Sequence, residues 1–318
     1  MRKVRFRRVN RGGLIRVSGA VAVLCIAFLM TSAASAQQAK PSTQNPGNDW
    51  KQVEDAMGRP GQVTADVIRF GMPRKDLHVT INGVAIKPGL ALGAWTAFKR
   101  VESGAMVMGD LVLTEDEVDP VMRKLRESGI EVAAVHNHLI GESPRVMYMH
   151  LDSHGDAVKM AQTIRDALAL TKTPGPDAGG AAPSTEALGI DQKKIEDTLG
   201  HTGKVNGGIL QISIPRAETI TESAMIVPPS MGVATALNFQ PTGNAKAAIT
   251  GDFVLTGKEV NPVMKALREN GIEVTAVHSH MLTEEPRLFF MHFWANDDAV
   301  KLAKGLRAAL DKTASAKS

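Results

Sequence analysis

Residues 109–150 read GDLVLTEDEVDPVMRKLRESGIEVAAVHNHLIGESPRVMYMH, and residues 251–292 read GDFVLTGKEVNPVMKALRENGIEVTAVHSHMLTEEPRLFFMH. At a constant offset of 142 residues, the two stretches are identical at 26 of 42 positions without a gap. Self-similarity at a fixed period indicates that one structural unit occurs more than once. The sequence therefore predicts two copies of one unit within the 318 residues.

Each copy combines predicted strands with amphipathic helices. Thr114 and Thr256 precede apolar residues at helical spacing, and each is followed three residues later by a glutamate, Glu117 and Glu259. This is the capping-box pattern of a helix N-terminus, so we interpret both glutamates as caps rather than as catalytic acids. Strands are predicted in the first copy at residues 67–72, 77–86, 93–101, 105–113, 130–138 and 145–151. We predict an α+β fold built by tandem duplication of one β-rich α/β unit, with two similar lobes in a pseudo-twofold arrangement.

The predicted organisation of the chain follows its changes in composition. Polar and Pro-containing residues precede the first repeat, and a stretch rich in Pro, Gly and Ala separates the two repeats. The predicted segments are a signal peptide at 1–36, a disordered lead-in at 37–47, repeat 1 at 48–170, a linker at 171–189, repeat 2 at 190–312 and a tail at 313–318.

The first 36 residues resemble a secretory signal peptide. They hold seven basic residues and no acidic one, followed by an apolar run at 19–30 and by Ala34-Ser35-Ala36. The apolar run is too short to anchor the chain stably across a bilayer, so no membrane span is expected after cleavage. We therefore expect a periplasmic or secreted protein.

Charge and composition exclude several kinds of partner and site. Removing residues 1–36 leaves 30 basic and 33 acidic residues, a net charge of −3, and aromatic residues make up only 4% of the chain. Neither value is typical of a nucleic-acid-binding protein, and no nucleic-acid partner is expected. The single cysteine, Cys25, lies inside the predicted signal peptide, so disulfides and thiolate metal ligands are not expected. The oligomeric state is not predicted.

Two equally spaced histidine triplets are the main candidates for chemistry. His-x-His is followed twelve residues later by a third histidine in both copies. Residues two apart on a strand share a face, and three neutral imidazoles with an open position are typical of catalytic zinc sites. We predict a divalent metal ion, preferably zinc, at one site per repeat. The candidate ligands are His136, His138 and His150 in repeat 1 and His278, His280 and His292 in repeat 2.

Other residues near the triplets allow more than one interpretation. The histidines themselves are alternatively structural groups that pack in a core. Tyr148 and Phe290 are predicted to line the wall of the site, whereas Met149 and Met291 point to the opposite face and are predicted to be core residues. Asp110 and Asp252 are also repeated, but Gly-Asp at the start of a strand is usual for a turn or bulge.

A glutamate and an arginine recur between the second and third histidines. The pairs are Glu142 with Arg145 and Glu284 with Arg287. As catalytic residues, the glutamates would bind the metal or act as general base, and the arginines would bind a carboxylate or phosphate of a substrate. The alternative interpretation is a surface ion pair that brackets a turn.

The motifs HNHLIGESPR at 136–145 and HSHMLTEEPR at 278–287, each followed by Met-His, resemble the LppY/LpqO family of exported bacterial proteins of unknown function. More distantly, the triplet resembles the zinc site of acetolactate decarboxylases. That resemblance implies that His136, His138 and His150 bind the metal, with Glu142 handling protons and Arg145 binding substrate. This chain departs from those enzymes before the third histidine, where they have glycines and it has Tyr148-Met149.

Three functions remain open from the sequence. The first is an exported metal-binding protein with one His-x-His…His site per repeat. The second is a metal-dependent hydrolase or lyase that acts on a small anionic substrate. The third is a non-catalytic cell-envelope binding module whose histidines are structural.

Overall fold

The computed structural model describes residues 50–175 and 188–316. The predicted signal peptide, the lead-in and most of the linker lie outside these residues. Both repeats lie within one compact unit, residues 45–318. Among the described residues, no helix has the length and apolar character needed to span a membrane.

Repeat 1 forms a six-stranded antiparallel sheet in the order β1-β2-β5-β6-β9-β7. Its strands are β1 (Gln62–Thr64), β2 (Val67–Pro73), β5 (Gly93–Val101), β6 (Gly104–Thr114), β7 (Val132–His136) and β9 (Val146–Gly155). A separate three-stranded sheet contains β3 (Thr80–Ile81), β4 (Val84–Ala85) and β8 (Glu142–Ser143). The single strand predicted at 77–86 is wrong, because Asn82 and Gly83 both have positive φ and form a tight turn between β3 and β4.

Repeat 2 has the same sheet, in the order β10-β11-β14-β15-β17-β16. Its strands are β10 (Lys204–Asn206), β11 (Ile209–Pro215), β14 (Ala234–Gly243), β15 (Lys246–Thr256), β16 (Glu273–His278) and β17 (Leu288–Asp298). A two-stranded hairpin joins β12 (Ile220–Glu222) to β13 (Met225–Val227). The predicted α+β duplication with two similar lobes is confirmed.

The helices are α1 (Lys51–Met57), α2 (Pro88–Ala91), α3 (Glu115–Glu127) and α4 (Ala157–Leu168) in repeat 1, and α5 (Gln192–Leu199), α6 (Gly257–Glu269) and α7 (Ala299–Leu310) in repeat 2, where a 3-10 helix spans Pro229–Met231. The long helices α3, α4, α6 and α7 cover one face of each sheet, whereas α2 contacts β14 and β15 of repeat 2 and the 3-10 helix contacts β2 and β5 of repeat 1. Both predicted capping boxes are present at the starts of α3 and α6. Apolar residues of α3 and α4, such as Val121, Leu125 and Ile164, bury against alternate residues of β6.

The opposite faces of the two sheets pack against each other. Met106 and Met108 of β6 alternate with Ala105 and Val107, which face the helices, so strand periodicity sends them to the interface. The apolar cluster at this interface combines Val67, Ala97, Met106 and Met108 of repeat 1 with Ile220, Val227, Met231, Val233, Val254, Met281, Leu288 and Phe290 of repeat 2. Any group on these inner faces is therefore removed from water.

Polar contacts also join the repeats. The side chain of Gln240 donates to Ala85 O at 2.7 Å and accepts from Lys87 N at 2.8 Å. The hydroxyl of Thr275 donates to His138 O at 2.6 Å. This last bond ties the loop that carries one predicted ligand to a strand of the other repeat.

A buried arginine forms an ion pair with each capping glutamate. Arg74 Nη1 lies 2.6 Å from Glu117 Oε2 and 2.7 Å from Val112 O, and its Nη2 also pairs with Asp76 at 2.8 Å. Arg216 makes the equivalent bond to Glu259 at 2.8 Å. The same glutamates accept from the chain that leaves each repeat, Glu117 from Lys172 N and Glu259 from Ala314 N. One carboxylate in each repeat thus joins a strand, a helix and the segment that follows the last helix.

Replacing Arg74 by methionine is expected to lower the free energy of unfolding by about 3–5 kcal/mol, because the carboxylate of Glu117 stays buried without its main partner. Chemical denaturation measures this loss. The matched control is Arg123→Met, since Arg123 pairs with Asp119 on the exposed face of α3. That change is expected to cost about 1 kcal/mol or less. Equal costs for the two variants would contradict the role given to the buried pair.

The capping glutamates are also expected to make the fold acid-sensitive. Burial alone would raise the pKa of Glu117, but hydrogen bonds from Arg74, Thr114 N and Lys172 N lower it below the ordinary 4.5, and Glu259 behaves alike. Their contribution is therefore complete above pH 4.5 and is lost as the pH falls through the lowered pKa. Urea unfolding across this range is expected to show a steeper loss in the native chain than in Glu117→Gln/Glu259→Gln. Parallel pH profiles would argue against this assignment.

Candidate metal centre

The strands bring the histidines of each repeat together. β7 pairs with β9 antiparallel, so that His150 lies opposite Ala134 and His136 lies opposite Tyr148. This antiparallel pairing brings His150 back alongside the strand that ends at His136, as the spacing of the histidines predicts. The predicted strand at 130–138 extends too far, because β7 ends at His136 and His138 belongs to the following loop.

The six imidazoles form one cluster across the interface between the repeats. Within repeat 1, the ring of His136 lies 4.9 Å from the rings of His138 and His150. Contacts between repeats are shorter. The centroid distances are 3.5 Å for His136 and His278, 3.7 Å for His138 and His292, and 3.7 Å for His150 and His280. The sequence predicts one site in each repeat, and the structure instead brings both triplets to a shared centre.

Every Nε2 atom of the cluster is buried and lacks a hydrogen-bond partner in the described part of the chain. The Nδ1 atoms of several rings contact backbone carbonyls instead: His292 contacts Gly251 O at 2.9 Å, His136 contacts Asn137 O at 3.2 Å, and His150 contacts Gly109. A carbonyl at Nδ1 places the ring proton there and leaves the lone pair on Nε2. This is how a metal-binding histidine is usually oriented.

The surroundings keep the imidazoles neutral. Burial lowers the pKa of His136 to about 4 and that of His278 to about 3. The pKa values of His138, His150, His280 and His292 are also lowered, first by burial and then by the neighbouring imidazoles. Neutral imidazole is the form that binds a metal ion.

Two aspartates, Asp110 and Asp252, complete the cluster. The residue pairing sets Asp110 beside His150, with Asp110 Oδ1 3.8 Å from His150 Nε2, and it sets Asp252 beside His292. Burial raises the pKa of Asp252 to about 7, and burial together with the nearby Asp252 raises the pKa of Asp110. The turn interpretation of Gly-Asp is wrong, because both aspartates lie inside long strands. A carboxylate repeated within an otherwise apolar strand was the signal that could have identified them.

Three sets of side chains have the donor types and spacing to hold a metal ion, with the candidate ligand atoms of each set within 4.8 Å of one another. The sets are His136, His138, His278 and His280; Asp110, His138 and His150; and Asp252, His280 and His292. The first set takes two histidines from each repeat, and the other two are related by the duplication.

Aromatic rings form the walls of the cluster. Tyr148 stacks on His138 with ring centroids 3.5 Å apart, and Phe290 stacks on His280 at 3.4 Å. Their predicted position beside the histidines is confirmed. Met149 and Met291 lie in the apolar cores under the helices, as the alternation of strand side chains predicts.

A cavity of about 660 Å³ opens onto one side of the cluster. It reaches His138, His292, Asp110 and Asp252, and both repeats contribute to its walls. Its size lies within the range of small-molecule sites, which is roughly 300–1,000 Å³.

The predicted catalytic residues lie away from this cavity. Arg145 pairs at 3.7 Å with Glu115, and both side chains are largely exposed, while Glu142 accepts from the side chain of Asn137.

In repeat 2, Arg287 binds Glu284 at 3.1 Å and also donates to two carbonyls and to Ser279 Oγ, which fastens the loop before β17. That geometry matches the ion pair that brackets a turn. The catalytic roles of Glu142, Arg145, Glu284 and Arg287 stay predictions.

Likenesses to solved structures are weak, and no curated protein matches the chain. A trimeric bacterial microcompartment shell protein, PduB, is 15% identical over 80% of this chain and 92% of that chain, with a TM-score of 0.20. EtuB from Clostridium kluyveri is 10% identical over 79% of this chain and 90% of that chain, with a TM-score of 0.19. With such scores, neither carries an argument about fold or assembly.

A family model matches each repeat separately, at residues 51–170 and 193–312. These two matches coincide with the two halves whose sheets and helices correspond. The finer resemblances, to the LppY/LpqO proteins and to the acetolactate decarboxylase site, stay predictions. The chain belongs to the family described as Domain of Unknown Function (DUF1259), of which it contains two copies.

Proposed function

We propose that this protein binds divalent metal at one histidine centre shared by its two repeats. The observation that carries the proposal is one cluster of six buried Nε2 atoms that have no hydrogen-bond partner among residues 50–175 and 188–316. An unsatisfied buried polar atom costs about 1–3 kcal/mol, and such atoms are rare in folded proteins. A metal ion satisfies several of these lone pairs at once, and the neutral rings already have the protonation state it requires.

Zinc is the preferred ion. The available donors are imidazole nitrogens with one carboxylate on either side, a set that zinc binds readily and that also suits other late divalent ions. Thiolate ligands are not available, since the only cysteine lies in residues 1–36. We also propose export to the periplasm or outside the cell, on the basis of the arginine-rich and apolar character of residues 1–36.

Elemental analysis of the purified protein tests the metal centre. The triple variant His136→Ala/His138→Ala/His150→Ala removes the repeat 1 ligands and leaves those of repeat 2 intact. Because the centre is shared, the variant is expected to retain clearly less than half of the zinc bound by the native protein. The double variant His154→Ala/His201→Ala is the control, since both residues lie outside the cluster.

Two results would contradict the shared centre. Retention of half the metal by the triple variant would indicate an independent site in each repeat. A native protein that takes up no zinc, and that melts identically with and without chelator, would favour structural histidines in a non-catalytic binding module.

A second candidate function is a metal-dependent hydrolase or lyase acting on a small anionic molecule. The observation that favours it is the cavity of about 660 Å³ beside His138 and His292. The histidines would hold a zinc ion, which would supply Lewis-acid chemistry at this place. Tyr148 and Phe290 cover the rings of His138 and His280 and exclude water from them.

Hydrolysis of p-nitrophenyl acetate and p-nitrophenyl phosphate by zinc-loaded protein tests this candidate. Turnover of either ester is expected to fall at least about 100-fold in His138→Ala/His292→Ala, with His154→Ala/His201→Ala unchanged. Equal rates in the native protein and the ligand variant would show that any turnover arises elsewhere.

A further inference from the structure

We propose that the two pseudo-equivalent approaches to the histidine centre have diverged, so that only one admits a ligand, and that Arg69 binds an oxyanion of that ligand. The ligand class is a small molecule carrying a carboxylate or phosphate group. The inference deepens the second candidate function and rests on the proposed metal centre, whose ion takes up the charge of the acidic residues on the cavity wall.

The duplication creates two related approaches, and only one is open. The large cavity contacts the cluster at His138, His292 and Gly251. Shifting these residues by 142 positions gives His280, His150 and Gly109, which line a second cavity of only about 10 Å³. That volume holds about one water molecule, whereas the first accommodates a metabolite-sized ligand.

Larger side chains fill the second approach. Trp95 and Met108 line it, at the positions where strand pairing places Ala236 and Thr250 on the open approach. The ring of Trp95 lies against Gly232, at which an added Cβ would be 2.8 Å from the ring. The second approach is therefore closed by side chains that pack as they do in a protein core.

Arg69 supplies positive charge to the open cavity. Its guanidinium stacks over Trp95 at 3.7 Å from the ring centroid, and Nη1 donates to Ser230 O at 2.9 Å. Within residues 50–175 and 188–316, no ion pair within 4 Å is formed between Arg69 and a carboxylate. Its counterpart in repeat 2 is the uncharged Gln211, which donates to Gly89 O.

The charges lining the cavity favour an anion once the centre is loaded. Asp110 and Asp252 are the acidic residues on the wall, and both belong to the candidate ligand sets. When the charge of these two aspartates is directed to a metal ion, Arg69 and Lys204 are the charged residues that face a ligand in the cavity. A guanidinium held by stacking and by one backbone bond presents further N–H groups in the planar array that carboxylates and phosphates match.

Isothermal titration of zinc-loaded protein with inorganic phosphate and with succinate tests the role of Arg69. Saturable binding of at least one anion is expected, and Arg69→Gln is expected to weaken it about tenfold or more. Arg123→Gln is the control, because Arg123 is exposed on α3 far along the chain from the cavity. Phosphate alone binding would indicate a phosphorylated ligand, and succinate alone would indicate an organic acid; either supports the inference.

Closing the open approach provides an independent test. Thr250→Met copies Met108 of the closed side, at a position that lines the open cavity. This variant is expected to lose anion binding while keeping its metal content and melting temperature. Met231→Leu, on the closed side, is expected to bind the anion as the native protein does.

Metal content measured before each titration separates this inference from the proposed function. A zinc-loaded protein that binds neither anion, or an Arg69→Gln variant that binds as tightly as the native chain, would overturn the inference and leave the metal centre standing. A protein that takes up no zinc but still binds the anion through Arg69 would overturn the metal centre alone.

Discussion

A buried imidazole nitrogen without a hydrogen-bond partner destabilises a folded protein, and six such nitrogens lie at one place in the part of the chain that the structure describes. The packing of two sheets through the faces opposite their long helices removes these nitrogens from water, and backbone carbonyls at Nδ1 orient several of the rings so that Nε2 points inward. The surrounding core has to offset that cost whenever the centre is empty. Bound metal would relieve the cost, which couples occupancy to stability.

The repeated Gly-Asp pair shows how closely the scaffold is fitted to this centre. Gly251 offers its carbonyl to His292, and an added Cβ there would lie 1.8 Å from Ala236 O, so the adjacent strand leaves no space for a side chain. The next residue, Asp252, faces the same histidine from the neighbouring strand. Two consecutive residues thus orient a ring and complete its set of candidate ligands.

The duplication, the fold class and the histidine triplets could be predicted from the sequence because they depend on local patterns. Repeat identity, the capping boxes and the alternation that separates Met149 from Tyr148 and His150 are all visible within a few residues. The shared histidine centre could not be predicted from the sequence, because no local pattern around His136 indicates that His278 packs against it. Asp110 was misread for the same reason: its role comes from pairing with His150, forty residues later. Arg69 gave no signal, because its partners lie far from it in the sequence, Trp95 on the adjacent strand and Ser230 in the other repeat.

Covalent linkage of the repeats has a consequence for how such a centre can change. In a symmetric dimer of a single-repeat chain, every substitution would appear on both sides of the axis, so opening one entrance would open both. One polypeptide carrying both halves escapes that constraint, as the pairs Arg69 with Gln211 and Trp95 with Ala236 illustrate. The chain can keep the metal ligands of the two repeats matched while one approach to the centre stays open to a small molecule. The other approach can then be closed by packed side chains.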